Sequence, residues 1–123
     1  MKNIEISEED FFWLVIGKIN KAKKDEMEML YQPIKFLVTR NEEERELFYR
    51  KFGEKMSALD FSKVDGLNQH DLKFIKAWVI GMGEWYYDCV LENPNVVKEG
   101  KGKTFTQLLY IKENVEDHLK QDI

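Results

Sequence analysis

The sequence has little of what several classes of protein require. Its 123 residues include one cysteine, Cys89, and two prolines, and its longest apolar run, Phe11 to Ile16, spans six residues. A single cysteine excludes an intramolecular disulfide framework, and a transmembrane helix needs about twenty apolar residues. The N-terminus also lacks the basic, apolar and small-residue pattern of a secretory signal. We therefore expect a protein of the reducing cytoplasm that does not insert into a membrane.

An excess of positive charge is also absent. The chain carries 19 basic and 23 acidic residues, a net charge of -4, and the two signs alternate along the sequence. The densest basic stretch, from Lys18 to Lys24, is followed at once by Asp25, Glu26 and Glu28. Proteins that bind nucleic acid normally cluster lysine and arginine against the phosphates, so the sequence argues against a nucleic-acid partner.

What the chain does have is material for one folded domain over residues 1–123. Its hydrophobic fraction is 43% and its charged fraction is 34%, a balance that is typical of globular rather than disordered chains. A folded chain of this length buries roughly two thirds of the surface that its unfolded form exposes, which is enough for one core.

The first helix is predicted from its N-terminal signal. The run from Ser7 to Asp10 places a hydroxyl at the N-cap and carboxylates in the first turn, where the helix dipole favours them. We expect this helix to continue to about Lys24. Its apolar stripe is so wide that other helices should contact it on more than one side, which places it at the centre of the bundle.

Two further helical patterns follow. Apolar residues keep helical spacing from Met27 to Val38, but Pro33 lies inside this pattern, so either the helix kinks there or two short helices meet. Asn41 and Glu44 have the spacing of a capping box, which predicts that the next helix begins at this point. The apolar stripe of that helix runs from Leu47 to Leu59.

The second half of the chain alternates turn signals with helical spacing. Residues 60–69 are rich in turn formers and are predicted to form a loop, with a positive φ at Gly66. Helical spacing resumes at about His70, and Gly81 and Gly83 interrupt it before the segment that ends near Leu91.

The end of the chain completes an all-helical pattern. Asn93-Pro94 should stop the preceding helix, Gly100 to Lys103 is predicted to be a flexible link, and Thr104 to Leu119 has helical spacing. No segment has the alternation expected of a strand. The predicted fold is therefore all-α, a single-domain irregular bundle of five or six helices.

Residues that could form a catalytic or metal centre are few. His70 and His118 lie far apart in the sequence, and neither has the paired spacing of a zinc site. Cys89 lies among Tyr86, Tyr87 and Val90, which is typical of a buried structural thiol rather than an activated nucleophile. We predict no catalytic residues, no metal site and no cofactor.

The segment with the most aromatic residues, Trp78 to Tyr87, supplies the candidate site. The consecutive residues Trp85, Tyr86 and Tyr87 fan over about 200° of a helix, so at least one ring should reach the surface. Tyrosine and tryptophan are enriched in binding hot spots. The candidate partner-binding surface combines these aromatics with nearby charges and consists of Lys76, Glu84, Trp85, Tyr86 and Asp88.

The same segment carries a family resemblance. Residues 74–83, continuing through Tyr87 to the Leu91–Asn95 stretch, are accompanied by an N-terminal Phe-Trp-Leu-Val-Ile motif at residues 12–16. This pattern resembles an uncharacterised bacterial all-α family, catalogued as a domain of unknown function. Lys76 stands where that family usually has arginine, and Ile75 where it usually has an aromatic residue. The resemblance implies a fold and supplies no activity or catalytic residues.

These observations lead to three hypotheses. The first is a non-enzymatic protein-interaction domain of the bacterial cytoplasm, with an immunity protein that neutralises a cognate toxin as its most concrete form. The second is a ligand binder or enzyme with a pocket near Trp78, Trp85, Glu84 and Asp88. The third is a homodimeric structural protein that pairs through an exposed aromatic face.

Overall fold

A computed structural model describes residues 6–100 and 103–121 of the chain. The described residues form helices and no strands, so the prediction of an all-α fold is confirmed. The predicted count of five or six helices is too low, because this part of the chain contains seven α-helices and three 3-10 helices. The α-helices are α1 (Glu8–Ile16), α2 (Glu26–Met29), α3 (Tyr31–Val38), α4 (Glu42–Ala58), α5 (Leu72–Gly81), α6 (Glu84–Glu92) and α7 (Ile111–Gln121).

Helix α1 begins as predicted and ends earlier than predicted. The Ser7 side chain accepts a hydrogen bond of 2.9 Å from the Asp10 amide, which confirms the N-cap. The helix stops at Ile16 rather than at about Lys24. After Gly17 the amides of Lys18 and Ile19 bond to carbonyls three residues back, which tightens the chain into a turn and buries Ile19.

Two short helices, α2 and α3, meet at Leu30, so the second of the two alternatives is confirmed. Pro33 is the third residue of α3 rather than the break itself. It lies in the first turn of α3, where a backbone amide has no intrahelical acceptor and a proline costs little. In an unbroken helix the residue at position 33 would donate to the carbonyl of Met29, four residues back. That carbonyl instead accepts a 3.0 Å hydrogen bond from the amide of Asn20, which draws the turn after α1 against α2.

Helix α4 forms with the predicted capping box, in which Asn41 and Glu44 each bond to the backbone of the other. Phe48 is buried, whereas Phe52 and Met56 are half-buried, so the predicted stripe is correct in position but lies partly at the edge of the core. Leu59, just past the helix, is buried again. The helix therefore lies on the outside of the bundle and depends on one fully buried ring.

The loop and the glycine interruption in the second half of the chain are confirmed. Gly66 lies in the loop with φ +85°, and Gly83 separates α5 from α6 with φ +110°. A short 3-10 helix, Gln69–Asp71, precedes α5. Helix α6 ends at Glu92, and Asn93 before the proline has extended backbone angles, as predicted.

The last part of the chain is less regular than predicted. A 3-10 helix, Pro94–Gly100, follows α6, and the middle of the predicted Gly100–Lys103 link lies outside the described residues. The predicted helix from Thr104 is a 3-10 helix, Thr106–Tyr110, followed by α7. The reason is tertiary, because the buried residue Phe105 has a non-helical backbone and donates its amide to the Phe74 carbonyl at 3.1 Å.

The core confirms a central position for α1. Five residues of α1, Phe11, Phe12, Trp13, Val15 and Ile16, are buried, and the helix packs against both α3 and α4. Helix α3 in turn packs against α7, and α5 packs against α4, α6 and the 3-10 helix Thr106–Tyr110. Among the residues described, no helix is both long enough and apolar enough to cross a membrane.

Candidate functional site

Helix α6 is held to the bundle by Tyr87. The side chain is 2% exposed, and its hydroxyl donates a 2.8 Å hydrogen bond to the carbonyl of Lys55 on α4. Its ring lies 5.5 Å from the ring of Trp13 on α1. Burial, with the negative charges of Glu9 and Asp88, raises the pKa of Tyr87 to about 12, so the hydroxyl remains a donor. These contacts fix the rotation of α6.

Tyr86 provides a second attachment on a different side of the helix. Its ring meets Trp78 edge to face at 5.3 Å, and its hydroxyl lies 3.5 Å from the Val96 carbonyl. The Trp78 ring packs so closely on Gly100 that a Cβ there would lie 2.7 Å from it. Burial raises the pKa of Tyr86, as do the charges of Glu99 and Cys89. Tyr86 is thus mainly a packing residue, and Cys89 beside it is half-buried rather than fully buried.

The third aromatic residue, Trp85, is 78% exposed. This confirms that at least one ring of the 85–87 run reaches the surface. The exposed residues of α6 all fall within about 120° of the helical wheel, at 100° per residue. We call this surface the α6 face, and its members are Glu84, Trp85, Asp88, Leu91 and Glu92.

The α6 face combines exposed apolar area with negative charge. Trp85 and Leu91 are large exposed hydrophobic residues, and Met82 lies just before the helix with 39% of its surface exposed. The three charged side chains of the face are carboxylates, and α6 contains no lysine or arginine. The face therefore has exposed apolar side chains at its two edges, Trp85 and Leu91, and the three carboxylates between them.

The structure divides the predicted site residues between two surfaces. Glu84, Trp85 and Asp88 lie together on the α6 face, with the half-buried Tyr86 beneath it. Lys76 lines a depression near Met56, which belongs to α4. On the helical wheel of α5, Lys76 lies about 200° from Trp78, the residue that contacts Tyr86. Lys76 therefore belongs to a different surface from Trp85.

The pocket of the second hypothesis would need Trp78 and Trp85 to face a common cavity. Trp78 instead packs against Tyr86 and Gly100, and Trp85 extends into solvent. Glu84 and Asp88 are both exposed. These side chains do not enclose a cleft, so the geometry gives this hypothesis no support.

Two features of the surface were not predicted from the sequence. Leu91 and Glu92 complete the α6 face, which the i, i+3, i+4 spacing from Glu84 and Asp88 could have indicated. Met27 and Tyr31, which belong to the helical spacing from Met27 to Val38, are 38% and 59% exposed. They share a concavity of about 240 Å³ between α3 and α7, whose remaining lining is Ile34, Lys35, Val38 and His118.

A charged cluster between α1 and α4 lies directly beneath Tyr87. Glu9 accepts hydrogen bonds from Lys55, from Lys51 at 3.2 Å and from the Trp13 indole at 3.2 Å. The Lys55 ammonium also lies 5.5 Å from the ring centroids of both Trp13 and Tyr87. This cluster links the two helices that support α6.

Replacing Glu9 with Gln should lower the free energy of unfolding by about 1 kcal/mol, because Lys55 loses its carboxylate partner. We expect no larger loss of unfolding free energy, because the Glu9 side chain is 41% exposed and solvent screens its charge. Urea unfolding followed by circular dichroism measures it. The matched control is Glu54→Gln, which removes exposed ion pairs and should change stability by less than about 0.5 kcal/mol.

The lowered pKa of Glu9 predicts how the stability lost in Glu9→Gln should change with pH. The hydrogen bond from Lys55, followed by those from Lys51 and Trp13, holds the pKa of Glu9 below its ordinary value of 4.5. A lowered folded-state pKa contributes stability above the unfolded pKa and loses it as the pH falls through the folded pKa. The difference between native protein and Glu9→Gln should therefore be full near neutral pH and shrink below pH 4.5. A constant difference down to acidic pH would contradict this.

Residues that could hold a metal are not gathered at this site. Across residues 6–100 and 103–121, no group of three or more histidine, cysteine, aspartate or glutamate side chains has a geometry suited to a metal ion. His118 contacts the Asn114 carbonyl on its own helix at 2.8 Å. His70 is exposed beside the start of α5.

Comparisons with known proteins add no further constraint. No protein-family model, no curated protein and no solved structure matches the chain. The resemblance to an uncharacterised bacterial all-α family therefore stays a prediction, and function must be argued from the α6 face.

Proposed function

We propose that this chain is a non-enzymatic protein-interaction domain of the bacterial cytoplasm that binds a basic polypeptide through the α6 face. An immunity protein that neutralises a cognate toxin is the most concrete form of this proposal. The observation that carries it is the exposure of Trp85 on the same helix face as three carboxylates, Glu84, Asp88 and Glu92. Large aromatics such as tryptophan are the residues that most often dominate binding energy.

Rigidity of the helix supports the choice of α6 as a binding element. Tyr87 and Tyr86 attach its buried sides to α4, α1 and the Pro94–Gly100 segment, so Trp85 projects from a fixed helix. A helix that is already fixed in place loses little further freedom on binding. Trp85 is therefore suited to fill a pocket on a partner.

Charge identifies the chemistry of that partner. The α6 face has three carboxylates and no basic side chain, so a partner surface that carries lysine and arginine would complement it. Complementary charge at a rim mainly accelerates association, and the acceleration decreases as salt rises. We therefore expect the association rate to fall with ionic strength, whereas the dissociation rate should depend chiefly on Trp85.

The test begins with affinity capture from the native bacterium, followed by mass spectrometry and light scattering. Capture serves only to identify a partner, and the decisive measurement is the Kd with the purified partner. Trp85→Ala should weaken binding by at least about tenfold, and Asp88→Lys should slow association. Tyr31→Ala is the matched control, because it removes another exposed aromatic residue, 59% exposed, outside the α6 face. Tyr86 is left unchanged because its ring packs against Trp78.

Three outcomes would contradict the proposal. Equal weakening by Tyr31→Ala and Trp85→Ala would show that exposed aromatics act without a defined site. Unchanged binding by folded Trp85→Ala would remove the α6 face from the interface. A dimer in light scattering that Trp85→Ala dissociates would favour the homodimer hypothesis instead.

A further inference from the structure

A depression of about 400 Å³ lies between the C-terminal end of α4 and the beginning of α5. Lys76, which does not belong to the α6 face, lines this depression. The depression is an open hollow in the surface, and its volume lies near the lower limit of about 300 Å³ for ligand pockets. Its lining consists of Met56, Ser57, Gln69, His70, Leu72, Lys73 and Lys76.

The ionisable residues that line the depression are all bases. They are His70, Lys73 and Lys76, and the lining contains no carboxylate. In the described part of the chain, none of these three side chains lies within 4.0 Å of a carboxylate oxygen. Because the protein has a net charge of -4, a concave surface that gathers three bases, none of them in a salt bridge, is a local reversal of charge.

The acidic residues closest in sequence do not line the depression. The Asp60 carboxylate accepts a 2.9 Å hydrogen bond from the Ser62 amide, and that contact, before the charges of Lys63 and Lys76, lowers its pKa. Asp71 lines a different depression, together with Asp65 and Lys98. The N-terminus of α5, a helix of ten residues, adds the positive end of its dipole.

We propose that this depression binds a small phosphorylated organic molecule. Lys73, Lys76 and His70 would hold the phosphate, whose two negative charges match three neighbouring bases better than the single charge of a carboxylate. The volume exceeds that of one phosphate group, and the half-buried side chains of Met56 and Leu72 supply apolar contact for the organic part. The Ser57 hydroxyl and the Gln69 amide provide neutral hydrogen-bonding groups at the same surface.

The experiment titrates the full chain with phenyl phosphate, inorganic phosphate and sulfate at constant ionic strength, and follows backbone amides by NMR. Phenyl phosphate should bind more tightly than phosphate and sulfate, and the shifts should concentrate at residues 56–57 and 69–76. The double variant Lys73→Gln with Lys76→Gln should weaken phenyl phosphate binding by at least about tenfold, the loss expected for charged hydrogen bonds. Lys120→Gln is the control, because it removes an exposed lysine near the end of α7.

The possible outcomes distinguish a defined binding site in the depression from a general attraction of anions to surface lysines. Shifts spread over lysines across the surface, equal affinity for sulfate and phenyl phosphate, or equal affinity in the double variant would each overturn the proposal. Circular dichroism shows whether the double variant is folded. If it is not, the shift map of the native protein and retention of binding by Lys76→Arg decide the question. The outcome is independent of partner binding at the α6 face.

Discussion

Replacing Phe48 with Ala should lower the free energy of unfolding by about 3–5 kcal/mol, the usual cost of truncating a buried phenylalanine. Of the seventeen residues of α4, all of them described, Phe48 is the buried one. Its ring stacks on Phe12 of α1 at a centroid distance of 5.0 Å. Truncation would leave a cavity where α4 meets the central helix, and a loss of this size is a large part of the stability of a small domain.

The matched control is Phe52→Ala, four residues further along the same helix. Phe52 lies 6.3 Å from Phe48 and is half-buried, so its truncation leaves a more open space that solvent and neighbouring side chains can fill. We expect it to cost less than half as much as Phe48→Ala. Urea unfolding monitored by circular dichroism measures both, and equal losses would contradict a single-ring attachment of α4.

The starts of α1 and α4 were predictable because their signals are local. Ser7 lies three residues from the amide that it caps, and Asn41 and Glu44 cap each other across the same distance. Gly83 and Pro94 likewise act on their own backbone. Such features need no knowledge of the rest of the fold, which is why sequence reasoning located them correctly.

Helix boundaries were less predictable where a hydrogen bond to a residue distant in the sequence decided them. The early end of α1 accompanies a hydrogen bond between Asn20 and Met29, which depends on how α2 packs against the turn after α1. The non-helical backbone at Phe105 depends in the same way on the Phe74 carbonyl, 31 residues before it in the chain. Helical spacing continues through both places, so periodicity alone predicts helices that are too long.

The candidate site also combines features that local sequence determines with features that distant residues determine. The 200° fan of three aromatics predicts that one ring is exposed, but the choice of Trp85 follows from a bond between Tyr87 and Lys55, which are 32 residues apart. Lys76 was grouped with Trp85 because the two are close in sequence. Helix geometry places Lys76 instead with residues of α4, and no local pattern marks that contact.

Replacing Gly83 with Ala should lower the free energy of unfolding by about 2 kcal/mol, within the range for residues held in sparsely populated backbone regions. Gly83 has φ +110° and ψ 172°, a conformation that is essentially restricted to glycine. A Cβ at this position meets no atom within 4 Å, so the cost would come from the backbone rather than from a clash. Urea unfolding monitored by circular dichroism would measure the change.

The control for Gly83 is a glycine whose replacement should have the opposite effect. Gly53 lies inside α4, and a Cβ added there also meets nothing within 4 Å. Because glycine weakens a helix interior relative to alanine, Gly53→Ala should raise stability by about 0.5–1 kcal/mol. Both changes add the same methyl group to open space, so opposite signs would isolate backbone conformation as the cause. Stabilisation by both would show that the chain between α5 and α6 can relax without its positive φ.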